Sequence, residues 1–248
     1  MSEHIHVSTE GAITTVRFAR PEKKNAITVA MYEGVTAALR AAHDDPAVRA
    51  VVITGAEGVF TAGNDLKDFM ANPPTGESSA VFQLLLALVN FPKALIAAVD
   101  GPAVGIGTTL LLHCDFVVAT ARAKFKMPFV TLGLVPEGAS SLLLPQRVGL
   151  QRASEWLLLA EGFDGDAAHR AGLVNVVVAP ELLLASAYAY AEKAAAMPPE
   201  AFTLAKGLLR APLREATLDA LAREGACFVE RLQSPETHAA ILSFFTRR

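Results

Sequence analysis

The chain has 248 residues, of which 52% are hydrophobic, and it carries 25 acidic and 22 basic residues. This length allows one α/β domain with a sizeable core, whereas no apolar stretch approaches the ~20 residues that a membrane-spanning helix needs. The sequence contains no block rich in lysine and arginine that would indicate a nucleic-acid partner. Its two cysteines, Cys114 and Cys227, have neither metal-ligand spacing nor a disulfide pattern. The large apolar fraction predicts surface buried between subunits.

The first half of the chain alternates predicted strands with predicted helices. Apolar periodicity predicts strands over 12–18, 49–54, 94–99 and 116–119, and helices over 28–43 and 78–90. Thr28 is a suitable N-cap for the first of these helices. Because the strand–helix–strand pattern occurs twice, the sequence predicts parallel strands joined by helical crossovers.

The second half of the chain is mainly helical by prediction. Helices are expected over 139–148, 151–160 and 166–171, followed by a last strand over 173–178. The remainder is an Ala- and Leu-rich series of helices, with breaks expected at Pro198-Pro199, Pro212 and Pro235. This tail has the character of a surface that packs on a partner subunit.

One carboxylate, Glu137, lies inside an apolar run just before a predicted helix. An ionised carboxylate beside Leu134 and Val135 must be solvated by something other than water, or be poised near neutrality for proton transfer. Glu137 is therefore a candidate catalytic base. The alternative is that Glu137 caps the following helix, where an acidic side chain is stabilised by about 0.3–1 kcal/mol. Burial would raise its pKa and the helix N-terminus would lower it, so both interpretations stay open at this point.

Two glycine-bearing loops, 60–66 and 103–109, each follow a predicted strand and open a helix. Helix N-termini present unpaired N–H groups, and two of them aimed at one point would stabilise an oxyanion. Asp65 is interpreted as a helix cap rather than a catalytic group. Gly105 and Gly107 lack the third glycine and the acidic partner of a dinucleotide-binding fingerprint.

Other catalytic patterns find little support in the sequence. His113, Cys114 and Asp115 are neighbours on one predicted helix and cannot face one another as a triad. A core role is the simpler interpretation of His113. The chain contains neither a Gly-x-Ser-x-Gly elbow nor a His-Glu-x-x-His pair, so hydrolase and zinc-enzyme functions are not expected.

Four segments, in order over nearly the whole chain, resemble the crotonase, or enoyl-CoA hydratase/isomerase, family. They are Arg-Pro-Glu-Lys-Lys-Asn-Ala at 20–26, Phe-Thr-Ala-Gly-Asn-Asp-Leu at 60–66, Gly-Pro-Ala-Val-Gly at 101–105 with Cys114-Asp115, and Ala-Gly-Leu-Val-Asn at 171–175. The resemblance implies an α/β fold, a ββα superhelical spiral over 1–195, followed by a C-terminal helical trimerisation region over 196–248. It further implies a homotrimer or a dimer of trimers.

The resemblance also implies an acyl-CoA substrate and an oxyanion hole made by the backbone N–H groups of Asn64 and Ile106. By family position, the remaining substrate-binding residues are Lys24, Ala26, Ala62, Gly63, Asp65, Leu66, Gly105 and Pro136. Lys24 is a candidate phosphate contact, although a lysine in a polar loop is more often simply solvated. No metal or redox cofactor is expected, because the implied chemistry is proton transfer alone and coenzyme A enters as part of the substrate.

Two departures from the family pattern indicate the reaction. Hydratases of the family place two glutamates around a water, and those positions here hold Thr109 and Phe129. Hydration is therefore expected to be weak or absent. The segment 125–141 is similar to peroxisomal-type 3-enoyl-CoA isomerases and their bacterial relatives, in which a lone glutamate, here Glu137, is the base.

The resemblance thus implies an isomerase that moves the double bond of a 3-enoyl-CoA into conjugation with the thioester. Two alternatives are kept: another crotonase-type reaction on an acyl-CoA, such as hydration or a lyase reaction, and a non-catalytic acyl-CoA-binding subunit. The first residues lack an extended apolar segment, and the C-terminal 245–248 lacks a Ser-Lys-Leu-type address, so a cytoplasmic location is expected.

Overall fold

A six-stranded sheet lies at the centre of the computed structural model, which describes residues 2–246; the predictions that rest on Met1, Arg247 and Arg248 lie outside the described residues. The strands are β1 Ile5–Glu10, β2 Ile13–Phe18, β3 Ala50–Thr54, β4 Ala94–Val99, β5 Pro102–Val104, β6 Phe116–Thr120, β7 Lys124–Lys126, β8 Phe163–Asp164 and β9 Val176–Val178. The central sheet has the order β1-β2-β3-β4-β6-β9, and a three-stranded sheet has the order β5-β7-β8.

Helices connect and cover these strands. They are α1 Val29–Asp44, α2 Leu66–Ala71, α3 Ala80–Asn90, α4 Ile106–Thr109, α5 Ser140–Val148, α6 Leu150–Leu158, α7 Gly165–Arg170, α8 Leu183–Ala195, α9 Pro199–Leu232 and α10 Pro235–Thr246. The hydroxyl of Thr28 accepts from the N–H of Met31 at the start of α1, so the predicted cap is confirmed. Within residues 2–246, no helix combines the length and hydropathy needed to cross a bilayer.

The predicted parallel pairing is confirmed in the central sheet, where neighbouring strands run parallel in the order β2-β3-β4-β6-β9. β3 and β4 are buried along their whole length, as their continuous apolar sequences require when helices cover both faces. One face, including Val51 and Leu95, belongs to the main core with α1 and α3. The opposite face packs against α8, where Ala187 and Ala191 allow close approach.

The short strands β5, β7 and β8 were not predicted, and the edge strand β1 and helix α9 also differ from the sequence-based expectation. β1 pairs antiparallel with β2 at the edge of the sheet and buries Ile5 alone, so it lacks the apolar alternation that would reveal it. α9 continues through Pro212, where a break was expected. A proline removes the hydrogen bond to the carbonyl four residues earlier, and because Pro212 and Leu208 are exposed, water can hydrate that carbonyl.

The C-terminal helices pack partly on the preceding part of the chain. α9 packs against α3 and α5, and its buried residues include Leu221, Glu224 and Phe228. Three leucines near its start are exposed instead: Leu204 by 68%, Leu208 by 75% and Leu209 by 84%. The division of the chain at residue 195, and the assignment of 196–248 to oligomerisation, stay predictions.

Candidate active site

The two glycine-bearing loops lie side by side. The N–H of Thr61 donates to the carbonyl of Pro102 at 2.9 Å, and the N–H of Val104 donates to the carbonyl of Thr61 at 3.0 Å. Gly63 has a φ of +83°, and a Cβ at this position would lie 2.7 Å from the Val104 carbonyl oxygen. Glycine at residue 63 therefore permits both the backbone conformation and the close approach of the loops.

The backbone N–H groups of Asn64 and Ile106 donate no hydrogen bond within residues 2–246. Ile106 is the first residue of α4, so its N–H has no partner in the helix. Asn64 lies between Gly63, whose carbonyl accepts from Ile27, and Asp65, whose N–H donates to Ile27. Both N–H groups, which the family resemblance implies for the oxyanion hole, therefore lack a partner within the described residues and lie on adjacent loops.

Two cavities meet at Asn64, Phe69 and Phe228, which line both of them. The larger, about 750 Å³, is a groove along the outside of the glycine-bearing loops. Seven of the predicted substrate-binding residues line it: Lys24, Ala26, Ala62, Gly63, Asp65, Leu66 and Gly105. Pro136 and the buried side chain of Ile106 are not among the residues that line either cavity.

The smaller cavity, about 310 Å³, is mainly apolar and contains Glu137 in its wall. Its remaining walls come from α3 and α9 and from the loop 74–79 that precedes α3. Phe69 and Phe228 stand where the two cavities meet, with their rings edge to face and centroids 6.0 Å apart. A ligand that follows the groove to Asn64 can therefore extend into an apolar space beside the carboxylate.

The carboxyl group of Glu137 is buried and has one free oxygen. The hydroxyl of Thr109 donates to Oε1, whereas Oε2 has no hydrogen-bond partner within residues 2–246. Burial raises the pKa of Glu137 to about 8, with the Thr109 hydrogen bond opposing this rise and the Glu224 carboxylate adding to it. Burial is therefore the largest influence on this pKa, and the group is poised for proton transfer close to neutral pH.

The helix-capping interpretation of Glu137 is wrong. The N–H groups of Ala139 and Ser141, at the start of α5, donate to the carboxylate of Glu224 on α9, at 2.6 and 2.8 Å. Glu224 is 85 positions from Ala139, so no local pattern in the sequence indicates this cap. Glu137 is left free for another role.

Asp65 is the helix cap that the sequence predicts. Its carboxylate accepts from the N–H groups of Lys67 and Asp68 at 3.1 and 3.3 Å and forms an ion pair with Arg20 at 2.7 Å. Its charge is therefore compensated by groups of the fold, which leaves it unsuited to act as a base.

Tyr32 is a site residue that the sequence analysis did not identify. Its buried hydroxyl donates to Oδ1 of Asn64 at 2.5 Å. Burial, together with the charge of Glu137, raises the pKa of Tyr32 well above its usual value, so the phenol stays a donor. Because the Tyr32 hydroxyl occupies the side-chain oxygen Oδ1 of Asn64, the side-chain nitrogen Nδ2 of Asn64 is the atom that can donate to a ligand.

Three lysines, Lys23, Lys24 and Lys67, contribute to the walls of the groove, as does the acidic Glu22. Lys24 and Asn25 are both in the left-handed region, with φ of +52° and +54°. The buried Asn25 side chain stabilises this turn, since it accepts from the N–H of Arg20 and donates to the carbonyl of Val59. The turn leaves Lys24 exposed at the groove.

The predicted core role of His113 is confirmed. The ring is 1% exposed, and Nε2 lies 2.9 Å from the carbonyl oxygen of Gly138. Burial lowers its pKa to about 4, so the imidazole is neutral at pH 7 and Nε2 is the donor in this contact. Within residues 2–246, no group of three or more His, Cys, Asp and Glu side chains is arranged to hold a metal ion.

The family model described as enoyl-CoA hydratase/isomerase matches residues 8–248. The chain belongs to the enoyl-CoA hydratase/isomerase family. The family resemblance found in the sequence is thereby confirmed, and so is the crotonase-like α/β fold, because solved structures of the family superpose closely on it. OdaA of Pseudomonas aeruginosa has a TM-score of 0.96 and 46% sequence identity, with 100% of both chains covered.

Curated relatives of this family member carry names for more than one reaction. Enoyl-CoA delta isomerase 2 of Rattus norvegicus is 36% identical, with 100% of this chain and 64% of that relative covered. The chain therefore spans less than two thirds of the length of the rat protein. The 2,3-dehydroadipyl-CoA hydratase of Escherichia coli is 34% identical, with 100% of this chain and 97% of the relative covered.

Proposed function

We propose that this protein is an isomerase that converts a 3-enoyl-CoA into the conjugated 2-trans-enoyl-CoA, in the degradation of fatty acids or related acyl-CoA compounds. The observation that carries the proposal is the free, buried Oε2 of Glu137 in the wall of an apolar cavity that also reaches Asn64. A buried carboxylate with a raised pKa is suited to accept and to return a proton near neutral pH.

In the proposed reaction, the N–H groups of Asn64 and Ile106 donate to the thioester oxygen. Glu137 removes a proton from the α carbon, and the electron pair of that C–H bond moves into a dienolate whose negative charge lies on the oxygen. The two donors stabilise this charge as it develops. Glu137 then returns the proton to the γ carbon, so one base serves both steps and no metal or redox cofactor takes part.

Residues 109 and 129 favour isomerisation over hydration. Thr109, at one position where a hydratase carboxylate is expected, donates a hydrogen bond to Glu137. Phe129, at the other, lines the groove with an apolar ring. Neither side chain can act as a general acid or base toward water. Hydration is the competing function, since the E. coli relative is named a hydratase.

We propose further that the groove binds the coenzyme A part of the substrate, with Lys24 near a phosphate and Lys23 and Lys67 beside it. The acyl chain then occupies the apolar cavity beyond Phe69. A homotrimer or a dimer of trimers, which the family resemblance implies, is also part of the proposal. The exposed leucines near the start of α9 support association between copies of the chain, because large exposed apolar patches mark association surfaces. A cytoplasmic location is also part of the proposal.

Ultraviolet absorbance of the conjugated thioester tests the proposed activity. The wild-type protein is supplied with a 3-enoyl-CoA, and formation of the conjugated product is followed; loss of the conjugated absorbance from a 2-enoyl-CoA measures hydration in parallel. Fast conjugation with little hydration supports the isomerase. Fast hydration with slow conjugation would establish the hydratase instead, and turnover of neither substrate would leave another reaction on an acyl-CoA or a binding role.

The pH dependence of the isomerase follows from the raised pKa of Glu137. Because the base must be ionised and its pKa is about 8, kcat/KM is expected to rise with pH and to level off above about pH 8. This parameter reports the free enzyme. Initial rates at low 3-enoyl-CoA concentration, measured from about pH 6 to about pH 9.5, check this; a flat profile over that range contradicts it.

Thr109→Val is expected to move the same profile toward higher pH. The variant removes the hydroxyl that donates to Oε1 of Glu137, and this hydrogen bond stabilises the ionised form, so its loss raises the pKa further. At pH 7, kcat/KM should fall about tenfold, the size of a hydrogen bond to a charged group. Thr54→Val, which removes a buried hydroxyl within the central sheet, is the control and should leave the profile unchanged.

A further inference from the structure

The turn that follows Glu137 is held by a carboxylate from a distant helix. Glu224 on α9 is 7% exposed, and its two oxygens accept separately from the N–H groups of Ala139 and Ser141. An ionised carboxylate has acceptors only, and two backbone N–H donors at 2.6 and 2.8 Å match this requirement. Glu224 therefore supplies the N-terminal cap of α5.

The backbone of this turn needs such support. Gly138 and Ala139 have φ of +71° and +58°, so two successive residues lie in the left-handed region. Alanine rarely adopts this conformation, which persists where the surroundings hold it in place. Ala139 is also the N-cap residue of α5, and its methyl side chain cannot accept a hydrogen bond. Without Glu224, the buried N–H of Ala139 would lose its partner.

We propose that Glu224 is a positioning residue for the catalytic base, which holds the turn 138–141 in the conformation that directs the Glu137 carboxyl group into the apolar cavity. This inference rests on the proposed function of Glu137. It adds a role for a residue of α9 that touches neither the thioester nor the reacting carbons. An electrostatic consequence distinguishes this role from general stabilisation of the fold, and a steric consequence links the turn to the apolar cavity.

The electrostatic consequence concerns the ionisation of Glu137. From the elements packed around it, Glu137 faces the Thr109 hydroxyl, the Tyr32 phenol and the Glu224 carboxylate. The negative charge of Glu224 opposes a second negative charge nearby and so adds to the raised pKa of Glu137. Removing this charge should lower the Glu137 pKa.

The other charged or titratable groups near the turn do not reverse this expectation. His113 contacts the carbonyl of Gly138 through Nε2 and is neutral at pH 7, since burial lowers its pKa to about 4. Arg223 acts on Glu224 from the same helix and is itself exposed. Burial raises the pKa of Glu224, whereas its hydrogen bonds to Ser141 and Ala139 and the charge of Arg223 oppose the rise.

The steric consequence concerns α9 as a wall of the acyl cavity. Residues on both sides of Glu224 line this cavity: Leu221, Ala222, Gly225 and Ala226. A chain bound there contacts the same helix whose carboxylate holds the turn. The base and the acyl-binding wall are therefore linked through one side chain.

Three substitutions of Glu224 distinguish the effect of its negative charge from the effect of the position of its carboxyl group. Glu224→Gln removes the charge and keeps the shape, so the acid limb of the kcat/KM profile should move to lower pH while the plateau kcat falls about tenfold. Glu224→Asp keeps the charge but shortens the side chain, so the limb should stay near the wild-type pH while kcat falls. Glu224→Ala should lower kcat about 100-fold, the effect of a displacement of about 1 Å in a catalytic group. Glu215→Gln, at an exposed position on α9, is the matched control.

A measurement without substrate keeps the inference independent of the proposed activity. The carboxyl carbon of Glu137 is titrated by 13C NMR, with its signal assigned from the Glu137→Gln variant. A lower Glu137 pKa in Glu224→Gln supports the inference even if the wild-type protein turns over no 3-enoyl-CoA, in which case the proposed function alone fails. An unchanged pKa in a folded Glu224→Gln protein overturns the inference even if kcat falls, because a purely structural role would lower kcat without moving the pKa.

Discussion

Glu137→Gln is expected to lower kcat for 3-enoyl-CoA isomerisation by about 10²–10⁴-fold, the usual contribution of a general acid or base. Glutamine has nearly the same shape and its carbonyl oxygen can still accept from Thr109, but it cannot take up the α proton. Absorbance of the conjugated product measures the loss. Glu215→Gln should keep the wild-type rate, and a Glu137→Gln protein with more than about one tenth of that rate would rule out Glu137 as the base.

Thermal unfolding at two pH values serves two purposes. It shows whether the Glu137→Gln protein is folded, and it tests the raised pKa of Glu137 in the wild-type protein. In the native state the pKa of Glu137 is raised from 4.5 to about 8, so the wild-type protein loses stability as the pH rises from about 4.5 through 8. The neutral amide does not titrate. The variant should therefore have a similar Tm to wild type near pH 4 and a higher Tm near pH 9. Equal melting temperatures at both pH values would contradict the raised pKa.

Gly63→Ala is expected to lower kcat/KM by about 10²–10³-fold, as the loss of an oxyanion-hole donor does. The added Cβ would lie 2.7 Å from the Val104 carbonyl oxygen, so the loops that carry Asn64 and Ile106 must move apart. The pH at which kcat/KM levels off should stay unchanged, since Glu137 is not part of this contact.

Gly11→Ala is the matched control for that substitution. Gly11 also has a positive φ, +57°, but a Cβ there meets nothing within 4 Å. The variant should therefore lose about 1–2 kcal/mol of stability from the strained backbone and retain its activity. If Gly63→Ala also retained full activity, the two N–H groups would not act together on the thioester.

Much of the scaffold follows from short-range patterns in the sequence. β3 and β4 are predicted from their continuous apolar residues, α1 from its apolar period and from Thr28, and the cap at Asp65 from its place before a helix. In each case the deciding interaction lies within a few residues of the chain or depends on burial of a whole strand. Such interactions can be predicted from the local amino-acid pattern. β1 buries a single side chain, so its pattern gives almost no indication of a strand.

The features of the candidate site fall into the same two groups, those that the sequence predicts and those that depend on distant contacts. The sequence by itself determined the family and singled out Glu137 as a carboxylate in apolar surroundings, because the cost of burying a charge can be judged from its neighbours. The tertiary structure alone decided that Glu224 rather than Glu137 caps α5, that Tyr32 holds the Asn64 side chain, and that burial is the largest influence on the pKa of Glu137. These are contacts between residues far apart in the chain, and whether such groups meet depends on how the helices pack on the sheet.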